Sequence, residues 1–190
     1  MSIYISSDWH LNHNKPFLYE PRGCSSIEEM NEKIINNHNT LVRPGDDVYI
    51  LGDLCLGGAE SLTANKILIE QFNGNLHIIR GNHCSAQRID MYETCKNVVE
   101  VLGFAEMLIY KKYHFYLSHY PTITSNQDFD KPLKARVLCL CGHSHTNDRW
   151  KDWDKGYIYH VEPEAHNGFP CLLDDIIEEF KFKIMEDNNK

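Results

Sequence analysis

Short apolar runs alternate with amphipathic segments along the chain. Four runs rich in Ile, Leu and Val each predict a buried strand: residues 3–5, 48–51, 76–79 and 137–140. A further strand is predicted at residues 158–161, and residues 104–117 predict a hairpin that turns near Lys111 and Lys112. Polar residues or glycine follow the first four runs, so each predicted strand ends sharply.

The segments between the strands have the spacing of helices. Ile27, Met30 and Ile34 recur at roughly helical intervals, and Ser25 with Glu28 matches a capping box at the start of this segment. Two further helices are predicted over residues 61–72 and 172–180. Strands that alternate with helices favour an α/β fold in which helices cover a sheet. The length of 190 residues, without a visible repeat or long linker, fits a single domain over residues 1–190.

The charge balance limits the classes of partner. The chain has 19 Lys and Arg against 27 Asp and Glu, a net charge of 19 − 27 = −8, with no basic stripe. We therefore expect no extended nucleic-acid surface. A local site could still bind phosphate, because bound cations reverse the local potential.

The cysteines and apolar segments bear on the compartment. Seven cysteines without C-x-x-C spacing indicate reduced thiols rather than a disulfide framework or a thiolate zinc site. No apolar run approaches the roughly 18 residues of a membrane span. The brief run before Asp8 lacks the pattern of a signal peptide. These features predict a cytoplasmic protein that has no membrane partner.

Polar clusters rich in metal-ligating side chains follow the predicted strands. There are five of them: Asp8-Trp9-His10, Gly52-Asp53, Gly81-Asn82-His83, Ser118-His119 and Gly142-His143-Ser144-His145. Their carboxylate, imidazole and amide groups, without a thiolate, suit divalent ions such as Mn, Fe, Zn, Ni or Mg. In D-x-H and H-x-H the ligands stand two residues apart, so an extended backbone would place both on one face. Asp53 is the candidate carboxylate to bridge two cations.

In this order, D-x-H, G-D, G-N-H, H and G-H-x-H resemble the motifs of the calcineurin-like metallophosphoesterase superfamily. The likeness is to its small single-domain bacterial and phage phosphoesterases, which tend to carry the stretch present here as Glu28-Glu29-Met30-Asn31. The resemblance implies a four-layer αββα sandwich of two mixed β-sheets flanked by helices. It also implies hydrolysis of phosphoric esters at a binuclear centre, where a metal-bridging hydroxide is the nucleophile.

The resemblance also assigns roles to residues. It puts Asp8, His10 and His145 on one divalent metal ion, Asn82, His119 and His143 on a second, and Asp53 on both. The ions would be Mn, Fe, Zn or Ni. His83 would be the proton donor to the leaving oxygen or a stabiliser of the transition state, so that His83, Asn82 and Asp53 form the catalytic set.

Several residues near the motifs need separate interpretations. Cys84 stands where the family usually has Asp or Glu, which leaves His83 without the usual carboxylate or with one from elsewhere in the fold. His13, Arg80 and Arg22 are candidate substrate contacts, although an ion pair is an alternative for either arginine. His166 with Asn167 could border the cleft. For His38, His77 and His114, surface or core packing is the expected role.

The function that these inferences favour is hydrolysis of a small phosphate ester, with a diester preferred because no cap domain is visible to select a substrate. The alternatives are a phosphomonoesterase or protein phosphatase, a nuclease, and a non-catalytic protein-binding scaffold of the same fold. A metallohydrolase of the β-lactamase type would require H-x-H-x-D-H, which does not occur. The sequence leaves the native metal and the oligomeric state open.

Overall fold

The computed structural model describes residues 1–124 and 131–188. The strands of this part of the chain are β1 (Ile3–Ser6), β2 (Asp47–Leu51), β3 (Asn75–Ile79), β4 (Val98–Val101), β5 (Ala105–Tyr110), β6 (Tyr113–Ser118), β7 (Val137–Cys141), β8 (Ile158–His160) and β9 (Cys171–Leu172). Its helices are α1 (Pro16–Tyr19), α2 (Ile27–Leu41), α3 (Leu62–Ile69), α4 (Ala86–Tyr92), α5 (Trp153–Gly156) and α6 (Leu173–Asn188).

The strands form two mixed sheets. The first has the order β4-β3-β2-β1-β9, in which β1 to β4 are parallel and β9 is antiparallel. The second has the order β5-β6-β7-β8, in which only β5 is antiparallel to its neighbour. The predicted sandwich of two mixed sheets with flanking helices is confirmed.

Alternate residues of the first sheet face two separate cores. Val48 and Ile50 of β2 pack with residues of α2 and α3, such as Met30 and Ile69, on the outer side. Leu51 of the same strand packs in the second core, between the sheets. This second core combines residues of β1 to β3 with residues of β6 to β8 and of α6: Ile5, Leu51, Ile79, Phe115, Leu117, Leu138, Leu140, Tyr159, Ile176 and Phe180. Burial on both faces explains why the central strands appear as continuous apolar runs.

Several predicted bounds need correction. The N-cap of α2 is Ser26, whose side chain accepts from the backbone N–H of Glu29, so the capping box is one residue later than the predicted Ser25–Glu28 pair. The Glu29 carboxylate accepts from both the backbone N–H and the hydroxyl of Ser25. α3 is shorter than predicted and α6 continues well beyond Phe180.

The parallel strands end level with one another. In register, Ser6 of β1 lies beside Ile50 of β2, and Leu51 of β2 lies beside Ile79 of β3. The loops that follow these strands therefore start at one edge of the first sheet. In the described part of the chain, no helix has the length and apolar character needed to cross a membrane.

Candidate metal centre

The polar clusters lie together at the carboxyl edge of both sheets. Asp8, Asp53 and Asn82 follow the adjacent parallel strands β1, β2 and β3. His119 and His143 follow the parallel strands β6 and β7 of the second sheet. The packing of the two sheets then brings both sets of loops to one place.

The backbone at these positions is left-handed. The φ angle is 50° at Asp8, 52° at His10, 50° at Asp53, 73° at His143 and 46° at His145. The expectation that the D-x-H and H-x-H pairs lie on extended backbone was wrong, because the chain has already left the sheet at these residues. Such backbone costs a non-glycine residue on the order of 1 to 3 kcal/mol, and it concentrates at functional sites.

The two oxygens of the buried Asp8 carboxylate have different surroundings. Oδ2 accepts a hydrogen bond of 2.8 Å from the backbone N–H of His143. Oδ1 lies 3.5 Å from Nε2 of His10 and 3.7 Å from Nε2 of His145, and it has no hydrogen-bond donor among the described residues. Burial alone would raise the pKa of Asp8, but His10, the other imidazoles and the His143 N–H lower it to about 2. Asp8 thus offers one free, ionised oxygen to a cation.

His10 is buried, at 3% exposure, yet neither of its ring nitrogens has a hydrogen-bond partner in the described part of the chain. Its Nε2 lies 3.5 Å from Oδ1 of Asp8 and 3.9 Å from Oδ2 of Asp53. Buried polar atoms without partners are rare and call for an explanation such as an ion. The nitrogen and oxygen atoms around His10 therefore fit a divalent metal.

His119 faces a second set of acceptor atoms. Its Nδ1 lies 2.9 Å from the carbonyl oxygen of Leu51, which accepts the Nδ1 proton in the neutral imidazole. The Nε2 lone pair then faces Oδ1 of Asn82 at 2.7 Å, Nδ1 of His143 at 3.1 Å and Oδ2 of Asp53 at 3.4 Å. The oxygens of Asn82 and Asp53 are acceptors, and Nδ1 of His143 is one in the tautomer that carries its proton on Nε2. Lone-pair atoms that converge in this way form the arrangement expected of metal ligands.

The donor atoms form two overlapping groups. Asp8, His10 and His145 make the first, and Asp8, Asp53 and His119 make the second, with the ligand atoms of each within 4.8 Å of one another. Asp8 belongs to both groups. Oδ2 of Asp53, the predicted bridge, lies 3.9 Å from His10 Nε2 and 3.4 Å from His119 Nε2. The carboxylates of Asp8 and Asp53 are thus each close to histidines of both groups.

Glycines of the motifs make room for the ligands. A Cβ on Gly142 would overlap the Asp8 carboxylate and the Ser7 side chain. A Cβ on Gly52 would collide with the His119 ring, and the φ of +88° at Gly52 is itself unfavourable for other residues. These motif glycines are therefore required by the close approach of the ligand side chains.

Comparison with known proteins identifies the family. The sequence profile of the calcineurin-like phosphoesterases matches residues 1–188. The chain belongs to this family. As a calcineurin-like phosphoesterase, it is a metal-dependent hydrolase of phosphoric esters. An uncharacterised protein of Methanocaldococcus jannaschii is 36% identical over 179 residues, which cover 93% of this chain and 89% of that protein.

Two solved structures resemble this calcineurin-like phosphoesterase. A protein of unknown function from Aquifex aeolicus aligns with a TM-score of 0.69 and 19% identity, covering 93% of this chain and 98% of that one. It shows the fold. The structure of an archaeal phosphodiesterase aligns with a TM-score of 0.44 and 17% identity over 86% of this chain and 83% of that one, a likeness too distant to bear on function.

His83, to which the family resemblance assigns a catalytic role, lies beside the candidate metal centre. The side chain of His83 is 41% exposed, and its Nε2 is 3.9 Å from Oδ2 of Asp53. The His83 backbone N–H donates to the other oxygen of Asp53 at 2.9 Å, and Arg88 donates to the His83 carbonyl at 2.5 Å. Asp53 is the carboxylate that approaches the His83 ring.

Cys84 has a structural contact where the family usually has an acidic residue. Its Sγ accepts a hydrogen bond of 3.2 Å from the backbone N–H of Gly81, and its side chain packs against the outer core. Burial raises the pKa of the Cys84 thiol, which keeps it protonated. Cys84 therefore supports the turn before Asn82 and does not replace a carboxylate.

Glu164 supports the centre although it lies outside the family motifs. Its Oε1 is 3.0 Å from Nδ1 of His145 and 2.8 Å from Nη2 of Arg22. The same Nη2 donates to the carbonyl of Asp8 at 2.8 Å, and Nη1 donates to the carbonyl of Trp9 at 2.9 Å. Arg22, a predicted substrate contact, is thus placed in an ion pair behind the loop after β1. In the sequence, Glu164 is one of two acidic residues, with Glu162, in the polar stretch after β8, and no local pattern distinguishes it.

A cleft of about 480 Å³ opens beside the metal centre. His10, His83 and His145 line it, and so does His13, a candidate substrate contact from the sequence. Arg80, the other predicted contact, is not among the lining residues, and its Nε is buried. The structure brings His13, but not Arg80, to the cleft.

The remaining histidines have partners elsewhere. His38 is buried against Trp9, and His77 pairs with Glu100. His160 is fully buried between Glu162 and Asp152, at 3.2 and 2.9 Å. His166 lies near the second core, with Nε2 2.8 Å from the His160 carbonyl. Asn167 lines a cavity of about 250 Å³ that adjoins the cleft and shares Pro21, Asn147 and Glu164 with it.

Proposed function

We propose that this calcineurin-like phosphoesterase is a phosphodiesterase that acts on a small substrate with two divalent cations. The proposal rests on two groups of possible metal ligands that share Asp8. One group contains His10, whose ring nitrogens have no hydrogen-bond partner among the described residues. The other contains His119, around whose Nε2 further lone-pair atoms converge. Asn82 and His143, whose Oδ1 and Nδ1 lie beside Nε2 of His119, complete the second set.

Each side chain has a role that its position supports. Divalent cations bound here supply Lewis-acid chemistry that activates water and neutralises charge on the phosphoryl oxygens. Asp8 and Asp53, both buried, hold the two donor sets together. His83 faces the cleft with an exposed ring and can give a proton to the leaving oxygen.

The charges of the cleft favour a diester over a monoester. Of the described residues, those that line the cleft include no Lys or Arg, whereas Glu164 is one of them. A phosphate diester carries one negative charge, and a monoester carries nearly two at neutral pH. Without a lysine or arginine among the described residues that line the cleft, the less charged diester is accommodated more readily.

Metal titration and a matched pair of substrates test the proposal. Metal-free protein titrated with Mn²⁺ in a calorimeter should bind two ions per chain. The Mn²⁺-loaded protein should hydrolyse bis(p-nitrophenyl) phosphate with a higher kcat/KM than p-nitrophenyl phosphate. A reversed preference would favour a phosphomonoesterase. Binding of one Mn²⁺ ion per chain would contradict the binuclear centre. A protein that binds no Mn²⁺ and hydrolyses neither substrate would be a scaffold.

Variants then test the roles of residues. His83→Ala should lower kcat by about 100-fold or more while still binding two Mn²⁺, because His83 is outside both donor groups. Asn82→Ala should lower both activity and metal affinity. His114→Ala, at a histidine that contacts the Lys134 carbonyl far from the site, is the control and should retain wild-type values. Wild-type turnover in His83→Ala and Asn82→Ala would contradict the assignment.

A further inference from the structure

Polar and apolar residues line the cleft beside the candidate metal centre. The polar lining includes His10, His13, His83 and His145. The apolar lining consists of three residues from α1 and the turn after it: Phe17, Leu18 and Pro21. A substrate whose phosphate reaches the histidines can place a substituent against these apolar residues.

In α1, the side chain of Leu18 is buried and that of Phe17 is exposed. Pro16 starts the helix, Leu18 is buried at 5% exposure, and Phe17 is 70% exposed. The Phe17 ring meets the His13 ring edge-on, with 5.8 Å between centroids, and the His13 ring lies 5.4 Å from that of His10. The exposed ring of Phe17 therefore lines the cleft, and the His13 ring lies between it and the ring of His10, a candidate metal ligand.

Within the described chain, the residues that line the cleft include no Lys or Arg to pair with a second phosphate. In the adjoining cavity the guanidinium of Arg22 is engaged by Glu164 and two backbone carbonyls, and Lys33 donates to the carbonyl of Arg22. The remaining polar lining groups, Asn147 and Glu164, would not neutralise an anion. If a substituent carried its own phosphate or carboxylate, that anionic group would have no cationic partner in the cleft.

We infer that the substrates of this phosphodiesterase carry a flat, apolar and uncharged substituent, an aromatic ring being the best fit, which packs on Phe17 beside His13. The inference rests on the proposed function and deepens it by naming the substrate class. Aromatic rings prefer edge-to-face or offset contacts with other rings, and both Phe17 and His13 offer such contacts. Esters of small alkyl groups and esters that bear further anionic groups bind less tightly.

Binding of phosphonates, which are not hydrolysed, tests the inference without turnover. The Mn²⁺-loaded protein is titrated calorimetrically with methylphosphonate, phenylphosphonate and 4-carboxyphenylphosphonate. Phenylphosphonate should bind at least ~10-fold more tightly than methylphosphonate, because an aromatic ring leaves water on binding. The carboxylate on the third compound should remove most of this gain.

Two variants test whether the preference for phenylphosphonate depends on Phe17. Phe17→Ala changes an exposed side chain and should fold normally, and it should weaken phenylphosphonate binding to near the level of methylphosphonate. Phe104→Ala is the control, since Phe104 is 67% exposed and lies between β4 and β5, away from the cleft. This variant should keep the wild-type preference.

The outcomes separate this inference from the proposed function. If methylphosphonate and phenylphosphonate bind equally well, or if Phe17→Ala keeps the preference, the substrate class is wrong while the metal centre stands. If the protein binds neither Mn²⁺ nor any phosphonate, the proposed function fails and the inference fails with it.

Discussion

Glu164 links two parts of the metal centre that are far apart in sequence. Its carboxylate contacts both His145, a candidate metal ligand, and Arg22, and Arg22 in turn donates to the carbonyls of Asp8 and Trp9. A carboxylate behind a metal-binding imidazole fixes the ring orientation and makes the other ring nitrogen a better ligand. Glu164 is therefore a positioning residue rather than a ligand.

Replacing Glu164 with glutamine should weaken metal binding. In Glu164→Gln we expect the dissociation constant for Mn²⁺, measured by calorimetry on metal-free protein, to rise by about 10-fold or more. Glu179→Gln is the matched control, because Glu179 also pairs with an arginine, Arg149, but far from any ligand. Equal metal affinity in both variants and the wild type would show that Glu164 does not position His145.

Sequence motifs identify some residues of the candidate site but not others. Asp8, His119 and the other motif residues could be selected because each follows a predicted strand, and strand ends meet at one edge. Glu164 could not be selected in this way, since its contact with His145 depends on the turn after β8, whose path has no local sequence signature. The left-handed backbone at His143 was missed because the two-residue spacing of the H-x-H pair was interpreted with extended geometry, although the predicted strand ends before Gly142.

The loop after β1 is held by a chain of asparagine side chains from two helices. Asn31 of α2 donates to the side chain of Asn12 at 2.9 Å, and Asn12 donates to Asn65 of α3 at 2.7 Å. Asn65 then donates to the carbonyl of Leu56 at 2.8 Å. Because Leu56 follows Asp53, this network connects the loops after β1 and β2 to both helices.

Removing the middle of this network should destabilise the protein. Asn65 is fully buried. In Asn65→Ala, the amide of Asn12 and the carbonyl of Leu56 lose their partners, so we expect a loss of ~1 to 3 kcal/mol in the free energy of unfolding. Urea denaturation followed by circular dichroism measures it. Asn36→Ala, at an exposed asparagine of α2, should change stability by less than ~0.5 kcal/mol. An Asn65→Ala variant as stable as Asn36→Ala would contradict the network.

At the scale of elements, the sequence predicts buried strands well and marginal elements poorly. β2 and β3 are apolar because both faces are buried, which leaves a strong signal. β4 is an edge strand with two exposed residues among its four, and β9 has only two residues, so neither has a distinct pattern. α4 is short and only two of its residues are buried, which leaves too little helical periodicity to detect.

For the molecule as a whole, Trp9 helps to anchor the candidate metal centre in the outer core. It lies between the candidate ligands Asp8 and His10, and its ring stacks on Phe72 at 4.2 Å and meets the ring of His38 at 5.3 Å. His38 is 1% exposed, with Nε2 2.8 Å from the carbonyl of Asn73. The global fold thus places a titratable side chain within the packing that supports the site.

Stability should therefore depend on His38 at mildly acid pH. Burial lowers the pKa of His38 from its ordinary value of 6.5 to about 4. Between these values the unfolded chain binds a proton that folded His38 does not, so the free energy of unfolding falls as pH decreases from 6.5 to 4. The full difference corresponds to ~3 kcal/mol. The lowered pKa of His166 acts in the same direction.

Comparison with His38→Gln isolates this contribution. Glutamine can donate to the Asn73 carbonyl but does not titrate, so the variant should lose less stability than the wild type between pH 7 and pH 4.5. Urea denaturation in EDTA at several pH values gives both curves, and the values at pH 8, where the imidazole is neutral in both folded and unfolded protein, set the baseline. The two curves should then separate progressively below pH 6.5. Parallel curves over the whole range would mean that His38 is protonated in the folded protein as readily as in the unfolded chain, and that its burial does not limit acid stability.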